Sequence, residues 1–85
     1  MKFIRTKDNG YLNPTKVKYF RVETSGRIAR VMADDIVERE FEVKYPDFGA
    51  MLTAEEYEAK YKALDAENAA FAQRYLDRLI EDLEG

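Results

Sequence analysis

The stretch Glu42-Val43-Lys44-Tyr45-Pro46-Asp47-Phe48-Gly49-Ala50-Met51-Leu52-Thr53-Ala54-Glu55-Glu56-Tyr57 contains the point at which this chain changes its rule. Before Tyr45, apolar residues alternate with charged ones, the period of a strand with one face buried. After Thr53 they recur every three or four positions, the period of an amphipathic helix. Pro46-Asp47-Phe48-Gly49 closes the first regime, and Thr53 opens the second as an N-cap. Glu56, three residues on, completes a capping box, and Leu52 is placed to staple onto Tyr57.

Working back from the break, Ile36–Tyr45 alternates cleanly. Val37, Phe41, Val43 and Tyr45 fall on one face, and Glu38, Glu40, Glu42 and Lys44 on the other, towards water. Arg39 is the exception on the apolar side, where an inward charge discourages pairing at a sheet edge. Asp34-Asp35 turns the chain out of Arg27–Ala33, and Thr24-Ser25-Gly26 turns it out of Val17–Glu23. On strand 27–33 the facing is ambiguous, because Ile28 and Met32 compete with Ala29, Val31 and Ala33 for the core side; a bulge would reconcile the two. Lys2–Thr6 and Tyr11-Leu12 flank Asn9-Gly10, whose residues suit a type I′ hairpin turn, and Asn13-Pro14 interrupts the second arm. A glycosylation reading of Asn13-Pro14-Thr15 fails on the central proline.

Beyond the break, Tyr57, Tyr61 and Leu64 continue the helical stripe, and Phe71, Ala72, Tyr75, Leu76, Leu79, Ile80 and Leu83 extend it as a cover for the sheet. An unbroken helix over 54–84 would measure about 46 Å at ~1.5 Å per residue, whereas a compact domain of this size is about 30 Å across. Length therefore favours a break at Asp65; the alternative is an overhang that packs on a second copy. The expected architecture is a single α+β domain over 1–85. It comprises an antiparallel β-meander of four to five strands (about 2–45) and one broken or two C-terminal helices (about 54–64 and 66–84).

With 85 residues there is material for one core only. An apolar fraction of 46% suits a globular chain, whereas 36% charged residues leave no stretch for a membrane span. The start Met1-Lys2-Phe3-Ile4-Arg5 lacks the apolar run of a secretory signal, so a cytoplasmic location is expected. No His and no Cys occur, which removes nucleophile pairs built on them, imidazole acid/base work and the usual zinc ligands. Without an assembled base, nucleophile and oxyanion donor, the expectation is a non-enzyme with no cofactor and no metal; Asp34-Asp35 has no further ligand at calcium-loop spacing.

Charge divides at the same break. Residues 1–45 carry 10 basic and 7 acidic side chains (+3), and residues 46–85 carry 4 and 10 (−6). Exposed carboxylates can match a basic cleft on a partner, which makes Glu38, Glu40, Glu42, Glu55, Glu56 and Glu58 candidate contacts, joined by Tyr57 and Tyr61 as interface aromatics. Lys18, Tyr19, Arg21 and Arg30 are the competing set, a sheet surface able to hold phosphate and stack bases. The bland reading of those cations is cross-strand pairing with the glutamates of strand 36–45.

The run Phe3-Ile4-Arg5-Thr6-Lys7, the Asn9-Gly10 turn, Tyr11-Leu12-Asn13-Pro14, Val17-Lys18-Tyr19-Phe20 and Tyr75-Leu76-Asp77-Arg78-Leu79-Ile80 resembles small uncharacterised bacterial and phage proteins built as a meander plus a helix. Leu12-Asn13-Pro14 also resembles a step in the small flagellar regulatory protein family. In size, acidity and architecture the chain is similar to phage anti-CRISPR inhibitors. That likeness implies a small inhibitor or regulator that blocks a basic nucleic-acid-binding site on a partner protein. The alternatives are a nucleic-acid-binding sheet and a structural module that forms a homodimer through its helix.

Overall fold

The computed structural model describes residues 3–49 and 51–84. Five antiparallel strands precede one helix: β1 (Ile4–Arg5), β2 (Tyr11–Leu12), a 3-10 turn (Pro14–Lys16), β3 (Phe20–Ser25), β4 (Ile28–Ala33), β5 (Ile36–Glu42) and α1 (Ala54–Glu84). The strands do not form one meander. β1 and β2 pair as a separate two-stranded hairpin, and β3, β4 and β5 form a sheet in that order. Lys2, the first residue of the expected opening strand, lies outside the described residues.

The hairpin uses its Asn-Gly step differently from a type I′ turn. Asn9 alone of the pair is left-handed (φ 64°). Thr6 N–H donates to Gly10 O (2.8 Å) and Gly10 N–H to the Thr6 hydroxyl (3.1 Å), which closes a longer loop. The hairpin is tied to β5 rather than to β3, through Lys7 N–H donating to Val37 O (3.2 Å).

β3 begins three residues later than the alternation of Val17–Glu23 implies. The cause is Asp34, whose carboxylate accepts the backbone N–H groups of Lys18 and Tyr19 (3.2 Å each) and so withdraws them from the ladder. Asp34 holds a left-handed backbone (φ 54°) in the β4–β5 turn, a conformation that Asp tolerates better than most residues. The Asp34-Asp35 pair is thus a turn device. Gly26 (φ 56°) serves the β3–β4 turn.

The ambiguity on β4 resolves in favour of Ala29, Val31 and Ala33, which are 1%, 0% and 0% exposed. They lie on the face under α1, where Ala29 and Val31 meet Ala72 and Leu76, with Phe20, Val22, Phe41, Tyr75, Leu79 and Ile80 around them. Small residues at 29 and 72 let helix and sheet approach closely. A bulge is present, but its extra residue is in β5. Val31 pairs with Arg39 and Met32 with Val37, which leaves Glu38 unpartnered in the ladder.

That bulge corrects the reading of β5. Glu38 does not face water: it is 4% exposed, and its Oε1 accepts the Tyr75 hydroxyl of α1 at 2.9 Å. Val37 correspondingly pairs with Met32, on the sheet face away from the helix. Strict alternation from Phe41 back to Val37 fails because one inserted residue reverses every facing beyond it. Arg39 does lie on the helix side, its guanidinium 5.2 Å from the Tyr75 ring centroid.

α1 is a single unbroken helix of 31 residues, not the broken pair expected from length. No Gly or Pro occurs within it, and seven alanines favour its continuation. The capping box is present as expected, with Glu56 N–H donating to Thr53 Oγ1 and Thr53 N–H to Glu56 Oε1 (3.2 Å each). Asp65 caps nothing; it accepts the Tyr45 hydroxyl at 2.6 Å. The assumption that failed was compactness, for the molecule measures 53 × 23 × 16 Å with a radius of gyration of 15.9 Å.

Candidate functional site: the helix overhang and its aromatic strap

Asn68 marks where α1 leaves the sheet. Its side-chain amide donates to Phe41 O (3.0 Å) and Arg27 O (3.3 Å), which satisfies two carbonyls at the sheet's end. The 14 residues from there back to Ala54 project by about 21 Å at ~1.5 Å per residue. Residues 43–49, after β5, run back along this overhang as a strap.

Aromatic stacking holds the strap. Tyr45 lies on Tyr61 with ring centroids 4.3 Å apart and planes at 22°. Tyr61 is near-parallel to Tyr57 (6.0 Å, 27°), and Phe48 leans on both at 5.9 and 6.4 Å. Such pairs contribute about 0.5–1.5 kcal/mol each beyond area burial. Lys60 places its ammonium 5.3 Å from the Phe48 centroid. The Asp65 carboxylate, with burial, raises the Tyr45 phenol above its ordinary value of 10.0. Tyr57 and Tyr61 recur at i, i+4 and invite an aromatic reading from sequence; Tyr45, Phe48 and Asp65 as their partners were missed. The available signal was Tyr45-x-x-Phe48 placed between sheet and helix.

The structure does not bring the predicted glutamates together. Glu55, Glu56 and Glu58 sit exposed on the overhang, Glu56 engaged in the cap and Glu58 paired with Lys62 at 3.1 Å. Glu40 lies on the sheet face away from the helix, bound by Arg30 (2.8 Å) and Lys7 (3.2 Å), and Glu42 is paired with Arg27 (3.3 Å). The hydrogen bonds from Arg30 and then Lys7 hold the Glu40 carboxyl below its ordinary value of 4.5. Of the competing basic set, Arg30 is therefore engaged. Arg21 pairs with Glu23 at 2.7 Å and donates to Asp34 O, while Lys18 and Tyr19 stay exposed. This face carries neighbouring charges of both signs, not a field of one.

Glu38 behaves in the opposite way to Glu40. Burial raises its carboxyl above 4.5, opposed by the Tyr75 hydrogen bond and the Arg39 charge, and its Oε2 is buried with no partner. A folded-state value above the unfolded one contributes stability that is full below about pH 4.5 and is lost as pH rises through the folded value. Glu38→Gln keeps an acceptor for Tyr75 and cannot ionise. The variant is expected to gain thermal stability relative to the native chain at pH 7, on the order of 1 kcal/mol, with the gain shrinking towards pH 4.5. Melting curves across that range check it; a difference that does not vary with pH would remove the assigned cause.

Among the described residues no group of three or more carboxylates is placed to hold a metal ion, and no helix is long and apolar enough to cross a membrane. Comparisons of the chain with protein-family models, with curated proteins and with solved structures find no match.

Proposed function

We propose that this chain is a non-catalytic protein-binding module, of the inhibitor or regulator kind, that docks on a basic surface of its partner through the overhang of α1. The observation that carries the reading is the overhang itself: a strapped helix projecting about 21 Å at ~1.5 Å per residue is surplus to covering the sheet. Its charge supports the same reading, since residues 46–68 hold 6 acidic and 2 basic side chains (−4). Complementary charge of this kind steers association and selects partners. The contact surface moves accordingly from β5, where Glu40 and Glu42 already have cationic partners, to the exposed carboxylates around the overhang: Glu55 and Glu58, the latter paired only with the largely exposed Lys62, towards one side, and Glu67 on the opposite side.

Charge reversal tests this. Glu55→Lys with Glu67→Lys alters two exposed positions and leaves the cap and the strap intact. The double variant is expected to lose the protein that the native chain captures from its source cell, while remaining folded with a melting temperature lowered only slightly, because Glu55→Lys reverses a favourable charge in the first turn of α1. The same captured protein in the same yield would refute docking through the overhang.

A second reading has one observation in its favour. Ala59, Ala63, Ala66 and Ala70 are exposed at spacings of 4, 3 and 4 along one line of the helix, small enough for a second copy's helix to approach closely. Light scattering over a concentration series separates a homodimer from a monomer. The nucleic-acid reading has less support, because Arg21 and Arg30 are already paired.

A further inference from the structure

Beside the strap, the overhang carries a shallow groove lined by Ala54, Tyr57, Glu58, Tyr61, Lys62 and Asp65. Its floor is aromatic: Tyr57 and Tyr61 are near-parallel, and Tyr45 backs Tyr61 from the strap side. Its rim is acidic, with Glu58 and Asp65 against the single cation Lys62. The Glu58–Lys62 pair is weak, because both side chains are largely exposed (66% and 75%) and such pairs contribute little. It yields readily to a competing cation. Asp65 accepts one bond, from Tyr45, through Oδ1.

We infer that this groove receives an arginine side chain from the basic surface of the partner protein, its guanidinium lying on the tyrosine floor between Glu58 and Asp65. The inference rests on the docking role proposed for the overhang and names what occupies it. A planar guanidinium combines stacking on an aromatic face with forked hydrogen bonds to carboxylates, and an ammonium supplies only a point charge. The neighbouring Lys60–Phe48 contact shows that a cation on an aromatic face suits this part of the molecule.

The test is a titration of the full chain, followed by NMR, with a short Ala/Arg peptide and with twins carrying Lys or citrulline at the Arg positions. The Arg peptide is expected to shift Tyr57, Tyr61 and Asp65 saturably. The Lys twin should bind about threefold more weakly, and the uncharged citrulline twin should not bind. Glu58→Gln with Asp65→Asn, which keeps an acceptor for Tyr45, should reduce Arg-peptide affinity by about tenfold. Tyr57→Leu should erase the Arg-over-Lys preference while the Glu58/Asp65 charge still attracts both peptides.

Equal binding by the double variant, equal affinity for all three peptides, or shifts confined to the Glu81-Asp82-Glu84 tail would each overturn the inference. Spermidine displacing the peptide at equal concentration would overturn the assignment to a protein arginine. The two levels fail separately. Loss of capture in Glu55→Lys/Glu67→Lys without Arg-peptide binding removes the groove's occupant and keeps docking through the overhang. Arg-peptide binding with unimpaired capture keeps the groove's selectivity for arginine and removes docking through Glu55 and Glu67, and with it the partner protein as the source of that arginine.

Discussion

Ala63→Pro is expected to melt the overhang and leave the rest of the molecule folded. Ala63 is exposed, so the substitution acts on the backbone alone. Proline removes a helix hydrogen bond and clashes with the preceding turn, at a cost of about 3 kcal/mol or more in a helix interior. Residues 54–62 would then have to survive as a nine-residue helix, well below the length at which isolated helices persist. The strap adds stacking, but two of its helix partners, Tyr57 and Tyr61, lie in the segment released. Helical ellipticity should therefore fall by about three tenths, the share of residues 54–62 in a 31-residue helix. Hydrogen-exchange protection at Val31 and Leu76 should persist. A natural break capped by Asp65 would put Ala66 at the first position of a second helix, where proline is tolerated, so such a molecule would accept Ala66→Pro, which the continuous α1 should not. Ala66→Pro therefore tests the continuity of α1 directly, and Ala63→Pro should also abolish the docking proposed for the overhang.

Leu76→Ala is expected to act on the other end of the helix and on the whole fold. Leu76 is 5% exposed and packs with Ala29, Val31 and Ala72 in the buried cluster. Its truncation leaves a cavity between helix and sheet, and such changes cost about 2–5 kcal/mol. For a domain of this length the total stability is about 4–13 kcal/mol at ~0.05–0.15 kcal/mol per residue. The urea midpoint should consequently drop by a large fraction. Leu76→Met, which conserves volume, should cost less than about 1.5 kcal/mol. Equal losses for the two variants would assign the effect to something other than the cavity.

The contrast between these substitutions reflects which features local sequence controls. The helix start was legible because Thr53 and Glu56 carry their instruction within three residues. The turns at Gly26 and Asp34 were legible for the same reason. The facing of Glu38 was not, because a bulge is settled by how β4 and β5 register against each other and against Tyr75, 37 residues away. The continuity of α1 was misjudged because a length argument assumed a sphere, and nothing local announces that a chain will fold as a rod. At the candidate site, Tyr57 and Tyr61 stood out by their helical spacing. The role of Tyr45 and Phe48 depended on the chain doubling back after β5, which alternation in β5 does not encode. The pairing of Glu40 with Arg30 was legible as the bland alternative, since oppositely charged residues on adjacent strands seek one another, whereas its second partner, Lys7 in the hairpin loop, was not.

If the overhang docks as proposed, the strap also bears on how fast and how tightly the partner is held. A segment that folds only on association gives up part of its interaction free energy to its own ordering. Here Tyr45, Phe48 and the Tyr45–Asp65 hydrogen bond do that ordering in advance, within the same chain. On this chain's side, encounter then requires only the orientation of a preformed surface and the displacement of a few side chains. Association is expected to be limited by diffusion and charge, and to slow with added salt. Its heat-capacity change should be small, in proportion to the surface covered, without the larger increment that accompanies folding on contact.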